Sequence, residues 1–134
     1  MTDTILGLFH DSLDRCNASP RFLERFYEMF LASSPEVAAK FAHTDFRKQR
    51  RALMAAFYEH IGAANGSPEA LAHLQELAVR HSRRGLDVRP ELHDLWLECL
   101  LKAVAEHDPK FDAKVENAWR TTLARGMAIM KAAY

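Results

Sequence analysis

The chain has 134 residues, 49% of them hydrophobic and 27% charged, which is enough to form one domain with a buried core. Eighteen basic residues balance eighteen acidic ones, so the chain lacks the overall charge of a general nucleic-acid or membrane-surface binder. No apolar run approaches the roughly 20 residues that are needed to span a bilayer. We therefore expect one domain over residues 1–134, with no membrane or nucleic-acid partner.

The cysteines and the N-terminus indicate a cellular compartment. Cys16 and Cys99 give neither a disulfide framework nor a Cys-x-x-Cys metal site, so both are expected to be buried like apolar side chains. The N-terminal residues carry no basic region before the apolar ones and no cleavage-type sequence, unlike a signal peptide. A reducing compartment suits both observations, and we expect the protein to be cytoplasmic.

Prolines and capping residues predict where the helices begin. Each of the five prolines is interpreted as the first residue of a helix, because its fixed φ suits a first turn: Pro20, Pro35, Pro68, Pro90 and Pro109. Ser19, Ser34, Ser67 and Asp108 precede four of them as capping residues. Two further starts are predicted at Thr2 or Thr4 and at Thr44-Asp45, and Gly85 is predicted to stop the fifth helix. The predicted helices lie near residues 4–16, 20–32, 35–42, 45–62, 68–84, 90–106 and 109–133.

Apolar residues recur at intervals of three and four, and no sustained alternation predicts a strand. One such stripe combines Phe46, Leu53 and Phe57, and another combines Leu71, Leu74, Leu77 and His81. The fold class is therefore predicted to be all-α. The short third helix and the long final pair argue against a regular four-helix bundle.

His81 is the most informative single residue, because it lies on the apolar side of its helix just before Gly85. An imidazole that binds a metal is held in one tautomer by a hydrogen bond from its other nitrogen, and carbonyls near a helix C-terminus lack backbone partners. We predict that His81 donates to a carbonyl one turn back, near Leu77. The alternative is a histidine packed in the core without a metal. Four other histidines are predicted to lie on the surface: His10, His60, His73 and His107.

Two polar side chains also lie among apolar ones. Gln49 falls on the stripe of Phe46, Leu53 and Phe57, and Tyr27 lies on the apolar side of the second helix. Either could reach a ligand in a pocket. The alternatives are that Gln49 points to solvent at the edge of the stripe and that the Tyr27 hydroxyl bonds a backbone carbonyl.

Several segments in order resemble bacterial globins, most closely the haem domain of flavohaemoglobins and related single-domain haemoglobins. The segments are Phe26-Tyr27-Glu28-Met29-Phe30, Ser34 to Phe41, Gln49 with Leu53, Arg80-His81, Pro90-Glu91-Leu92 and Ala118-Trp119. No single segment is specific, but their order and the spacing from Gln49 to His81 match over nearly the whole chain. The resemblance implies a globin-like fold of about seven helices around one haem b.

The resemblance also implies a role for each matching residue. His81 matches the ligand of the haem iron, and Phe41 matches the residue that packs on the haem face. Leu53, Leu77 and Val88 match apolar contacts of the haem. Tyr27 and Gln49 match the pair that faces the bound gas. Arg80 and Arg84 are our candidates for pairing with the haem propionates.

The chain departs from that family in three ways. His93 stands where flavohaemoglobins have a tyrosine near the iron ligand, and the place of their glutamate falls at or near Tyr134, which disfavours peroxidase-like cleavage. The stretch between Phe41 and Gln49 is shorter, so Phe46 or Arg50 could replace Gln49 beside the gas. No flavin or nicotinamide segment follows Tyr134, so we expect electrons to come from a separate protein.

Apart from these departures, His43 is the one nearby histidine that could supply a sixth iron ligand.

These observations predict a haem-binding globin that reversibly binds dioxygen, and also nitric oxide and carbon monoxide, with no catalytic residue assigned. One alternative is nitric oxide dioxygenation with a separate reductase, and the other is a haem-based gas sensor that acts through a partner. The basic cluster of Arg47, Lys48, Arg50 and Arg51 is interpreted as a solvated face.

Overall fold

The computed structural model describes residues 4–134, and this range contains seven α-helices and no strand. The helices are α1 (Ile5–Asn17), α2 (Phe22–Ser33), α3 (Pro35–Lys40), α4 (Phe46–Ala64), α5 (Pro68–His81), α6 (Pro90–His107) and α7 (Ala113–Ala132). The all-α prediction and the number of helices are thus confirmed. Within residues 4–134, no helix is both long enough and apolar enough to cross a membrane.

Capping side chains begin four of the helices where the sequence predicts. The hydroxyl of Thr4 accepts from the Gly7 amide at 2.9 Å, and the Asp45 carboxylate accepts from the Arg47 amide at 3.0 Å. Ser34 and Ser67 cap α3 and α5, and each is followed by proline as the first helical residue. The alternative start at Thr2 lies outside the described residues.

Two predicted starts are wrong, since α2 begins two residues after Pro20 and α7 begins four residues after Pro109. Ser19 forms a turn instead, in which its hydroxyl accepts from the Arg21 amide at 3.2 Å. Asp108 is not a helix cap but a buried anchor. Its carboxylate accepts from the Ser12 hydroxyl at 2.6 Å and from Arg15 Nε at 2.6 Å. Asp112 caps α7 in its place.

The chain forms two compact units, one from the residues up to Ala42 with Leu95–Thr122 and the other from His43–Asp94 with Leu123–Tyr134. In the first unit, Trp119 is fully buried and its ring lies 4.6 Å from that of Phe9. The Trp119 indole also donates to the Ser12 hydroxyl at 2.9 Å, so it is anchored at both its apolar and its polar end. Cys16 and Cys99 are buried free thiols in this unit, as predicted.

The second unit has its own apolar cluster, formed by Ala63, Ala70 and Leu74 with Leu77 and Ile129 against it. The Arg125 guanidinium on α7 donates to the Ala63 carbonyl at 3.1 Å. This contact ties α7 to the C-terminal end of α4 within the unit.

His60 on α4 is buried in this second unit, so the prediction of a surface position is wrong. Its ring lies directly against Gly126 of α7, where an added Cβ would be 2.1 Å from the imidazole carbon Cε1. Glycine is therefore required at this close approach. The buried Nδ1 of His60 has no hydrogen-bond partner among the described residues.

Candidate functional site

The segment that follows His81 folds back onto the end of its own helix. α5 ends at His81 rather than at residue 84, and residues 82–88 turn to satisfy its last carbonyls. The Leu86 amide donates to the Arg80 carbonyl at 2.8 Å, and the Val88 amide donates to the His81 carbonyl at 2.8 Å. The backbone of His81 is thus held from both the helix and the turn.

Gly85 does not stop the helix by adopting a left-handed conformation. The positive φ in this turn belongs to Asp87, at 54°. Glycine is needed at position 85 because a Cβ there would lie 2.2 Å from the Arg80 carbonyl oxygen. The turn therefore depends on close packing of the backbone rather than on glycine's freedom in φ.

The His81 ring makes the hydrogen bond that the sequence predicts. Its Nδ1 lies 2.7 Å from the Leu77 carbonyl oxygen, one turn back along α5. A carbonyl can only accept, so Nδ1 carries the proton and donates. The ring is fixed in one tautomer with Nε2 as its basic nitrogen, which is the arrangement that a metal-binding imidazole requires. The prediction about Leu77 is confirmed, and the half-buried ring fits a haem ligand.

His93 is the nearest aromatic neighbour of His81, with ring centroids 6.1 Å apart. Burial, with smaller contributions from His81 and Lys131, lowers the pKa of His93 to about 4. His93 is therefore neutral near pH 7. Asp94 is held by Lys131, whose Nζ donates to it at 2.5 Å. The Nδ1 partner of His81 is a carbonyl rather than a carboxylate.

The apolar residues proposed from the resemblance fall in the second unit with His81. Leu53 on α4 is buried, whereas Leu77 on α5 and Val88 in the turn are half-buried. Leu77 packs on the cluster that contains Leu74, so the carbonyl that orients His81 belongs to a well-anchored turn of helix. Side chains of this kind can exclude water from a prosthetic group.

Gln49 lies in the first turn of α4, where its backbone N–H donates to the Asp45 backbone carbonyl at 3.0 Å. Its side chain is half-buried, and so are those of Phe46 and Arg50. The three positions are alike in exposure, so the assignment of Gln49 to the gas remains a prediction. His43 is exposed.

Tyr27 and Phe41 lie together in the first unit. Tyr27 on α2 is 5% exposed, and its ring centroid lies 5.8 Å from that of Phe41 at the end of α3. Phe26 and Phe30 complete the group, with ring centroids 4.8 Å from Tyr27 and 6.0 Å from Phe41 respectively. This packing holds the Tyr27 ring in a fixed, dry position.

Arg80 and Arg84 are both exposed, and neither forms an ion pair with the acidic side chains of residues 4–134. Guanidinium groups that lack an internal partner can pair with carboxylates of a bound molecule. Both therefore remain candidates for haem propionates.

A carbonyl partner alone does not identify a metal ligand. His107 has the same arrangement, with its Nδ1 2.8 Å from the Ala103 carbonyl, but its ring packs edge-on against Phe22 at 5.8 Å. The resemblance is what distinguishes His81 from His107. On α1, His10, Asp11 and Asp14 have potential ligand atoms within 4.8 Å of one another, and these side chains lie at the surface without another sign of a ligand.

Sequence reasoning missed two features of this region. It missed the buried position of His60, although that residue lies on the stripe of Phe46, Leu53 and Phe57. It also missed the hydrogen bonds by which residues 82–88 close around the end of α5. Only the backbone reveals these bonds, since no side-chain pattern marks them.

Comparison with known proteins gives a consistent result. A model of the Globin family matches residues 24–130. A solved structure described as PA3967 from Pseudomonas aeruginosa PAO1, structurally highly homologous to a human hemoglobin, is 44% identical and superposes with a TM-score of 0.93. The match covers 98% of each chain. A search of curated proteins finds no match.

Proposed function

The chain belongs to the globin family, which implies that it binds haem, and from that premise we propose that it holds one haem b through His81 and binds dioxygen reversibly. We also propose that residues 1–134 act as a single globin domain and that the protein works in the cytoplasm. The choice of His81 rests on the resemblance, and the hydrogen bond from its Nδ1 to the Leu77 carbonyl at 2.7 Å is the geometric observation that supports it.

Each matching residue then has a defined task. His81 would hold the iron through Nε2, and the Leu77 carbonyl fixes the orientation of the ring by accepting from Nδ1. Phe41, Leu53, Leu77 and Val88 provide apolar contacts. Arg80 and Arg84 pair with the propionates through charge-assisted hydrogen bonds. These assignments rest on the resemblance together with the burial described above.

Haem, when bound, would supply an iron atom that takes up a diatomic gas such as dioxygen, nitric oxide or carbon monoxide. Tyr27 and Gln49 are proposed to donate hydrogen bonds to that gas. Hydrogen bonds to charged acceptors contribute about 1.5–3 kcal/mol. That range corresponds to roughly a tenfold to more than a hundredfold increase in affinity. We therefore propose slow release of dioxygen, which suits ligand chemistry or sensing better than bulk delivery.

Reversible binding is tested on the ferrous protein by titration with dioxygen. We expect saturation at one dioxygen per haem, and we expect the initial absorption spectrum to return when the gas is removed under argon. The spectrum of the carbon monoxide form, recorded on the same sample, measures how much of the haem is still intact after the titration. Rapid irreversible oxidation of the iron without a stable oxygenated form would contradict the proposal.

The nitric oxide dioxygenase alternative has its own test. Mixing the oxygenated protein with nitric oxide in a single turnover and measuring nitrate separates fast chemistry from simple binding. We expect the oxygenated form to persist long enough to be mixed, because Tyr27 and Leu53 are each buried away from water.

A further inference from the structure

The balanced overall charge of the chain hides an uneven distribution. The first unit carries eight basic and eleven acidic residues, whereas the second unit, which contains His81, carries ten basic and seven acidic residues. The His81 unit is therefore positively charged near pH 7. A field of this kind attracts acidic molecules and raises their rate of association.

One surface of the second unit combines this charge with exposed apolar side chains. Among residues 4–134, four large apolar side chains are exposed, and two of them, Val79 at 60% and Leu86 at 55%, flank the end of α5. Arg80, Arg83 and Arg84 lie between them in the chain and are exposed as well. We call these five residues, Val79, Arg80, Arg83, Arg84 and Leu86, the α5 patch.

Of the three arginines, Arg80 and Arg84 are the proposed partners of the haem propionates, so Arg83 is the one whose charge stays available when haem is bound. Arg83 has no ion-pair partner among the described residues. Arg83 is held in place by Tyr134, because its guanidinium carbon lies 4.6 Å from the centre of the tyrosine ring. The Tyr134 hydroxyl donates in turn to the Asp87 carboxylate at 2.6 Å. The charge of Arg83 is thus presented in a fixed position.

The α5 patch borders a half-open surface cavity of about 340 Å³. Its lining combines apolar, hydroxyl and guanidinium groups: Val79, Ser82, Arg83, Arg84, Ala133 and Tyr134. Glu76, one turn before Arg80, and Asp87 are the nearby acids in sequence, and Asp87 already accepts from Tyr134. An available cation, Arg83, together with the exposed apolar side chains of Val79 and Leu86, fits an acidic protein.

We propose that the α5 patch is the docking surface for an acidic flavoprotein that reduces the haem iron. This inference rests on the proposed function, since reversible dioxygen binding requires ferrous iron and ferric iron must be reduced again. The donor's flavin hydroquinone loses one electron, ferric iron gains it, and no atom is transferred. Val79 and Arg80 lie in the last turn of α5, so a protein docked there contacts the helix that carries the proposed iron ligand.

The test uses flavodoxin, a small acidic flavoprotein, as the probe. Its affinity for the ferric protein is measured by titration calorimetry with both partners oxidised, so that binding is observed without electron transfer. The rate of reduction by flavodoxin hydroquinone is measured separately by stopped flow. Leu86→Asp and Val79→Asp add one negative charge to the patch. Tyr58→Asp makes the same charge change at an apolar residue of the second unit that is 47% exposed but lies outside the patch.

We expect affinity and reduction rate to fall roughly tenfold between ionic strengths of about 0.01 M and about 0.15 M. We expect Leu86→Asp and Val79→Asp each to lower both quantities about tenfold further, and Tyr58→Asp to lower them less than about twofold. Arg83→Glu should act like the patch variants, with Arg51→Glu as its matched control. Equal losses in patch and control variants, or binding that is independent of salt, would overturn the proposal.

The same experiments separate the docking surface from the proposed function. Flavodoxin that binds the chain through the α5 patch when the chain takes up no haem would support the surface and contradict the function. A protein that binds haem and dioxygen but whose affinity for flavodoxin is unchanged by Leu86→Asp and Val79→Asp would keep the function and refute the surface.

Discussion

The free energy of unfolding should fall as the pH is lowered from about 6.5 to about 4, and His60 should account for a large part of the loss. Burial lowers the pKa of His60 to about 4 from its ordinary value of 6.5. Between these values the unfolded chain binds a proton that the folded chain does not. Acid therefore favours unfolding until the pH reaches the folded pKa, where the effect is complete.

The size of the effect follows from the shift in pKa. A shift of this size corresponds to about 3 kcal/mol, which is a large fraction of the stability of a small domain. The side chain of His60 cannot shift toward water to gain its proton without unfolding, because its ring lies against Gly126 on α7. Glu59 favours the protonated form of His60 only slightly, since burial is the larger influence.

The measurement is urea unfolding at a series of pH values on the wild type and on His60→Met. Methionine is flexible and apolar, so it can fill the site without a proton to gain. We expect the difference in stability between the two proteins to change by about 3 kcal/mol between pH 7 and pH 4, in favour of the variant. His93, whose pKa is also lowered to about 4, is present in both proteins and cancels. A difference that is constant with pH would show that His60 is not buried as a neutral imidazole.

Dioxygen should dissociate about ten to a hundred times faster from Tyr27→Phe than from the wild type. The substitution removes the proposed donor to the gas but retains the aromatic ring. The ring contacts with Phe26 and Phe41 can therefore persist. The result follows if the Tyr27 hydroxyl stabilises the partial negative charge that dioxygen acquires.

Stopped-flow mixing of the oxygenated protein with carbon monoxide gives the dioxygen dissociation rate. Tyr58→Phe is the matched control, since it makes the same change at an exposed tyrosine of α4. Bound carbon monoxide acquires less negative charge than bound dioxygen. The Tyr27→Phe substitution should therefore change the dissociation rate of carbon monoxide less than that of dioxygen. An unchanged dioxygen rate, or equal changes for both gases, would remove Tyr27 from its proposed role.

Most of the fold was predictable because helix signals are local. The hydroxyls of Ser34 and Ser67 before proline mark α3 and α5 correctly, since a cap and its helix lie within a few residues of each other. The same signal fails at Asp108. Its carboxylate bonds Ser12 and Arg15, which are more than ninety positions away in the chain, and a local pattern cannot show this competition.

The candidate site was predictable to a similar extent. The bond from His81 to the Leu77 carbonyl follows from helix geometry and was confirmed. The surroundings of that histidine were not predictable, because the contact with His93 brings together two helices. The choice among Phe46, Gln49 and Arg50 also stays open, since all three lie within two turns of one helix and are equally exposed.

The absorption spectrum of the purified protein with haem, compared with that of His81→Ala, tests the central claim most directly. We expect a strong Soret band in the wild type, its loss or shift in His81→Ala, and its restoration by added imidazole. His107→Ala, which removes a histidine with the same carbonyl hydrogen bond, should leave the band unchanged. A wild type without a Soret band after haem addition, or a His81→Ala protein with the wild-type spectrum, would contradict the assignment of His81 as the iron ligand.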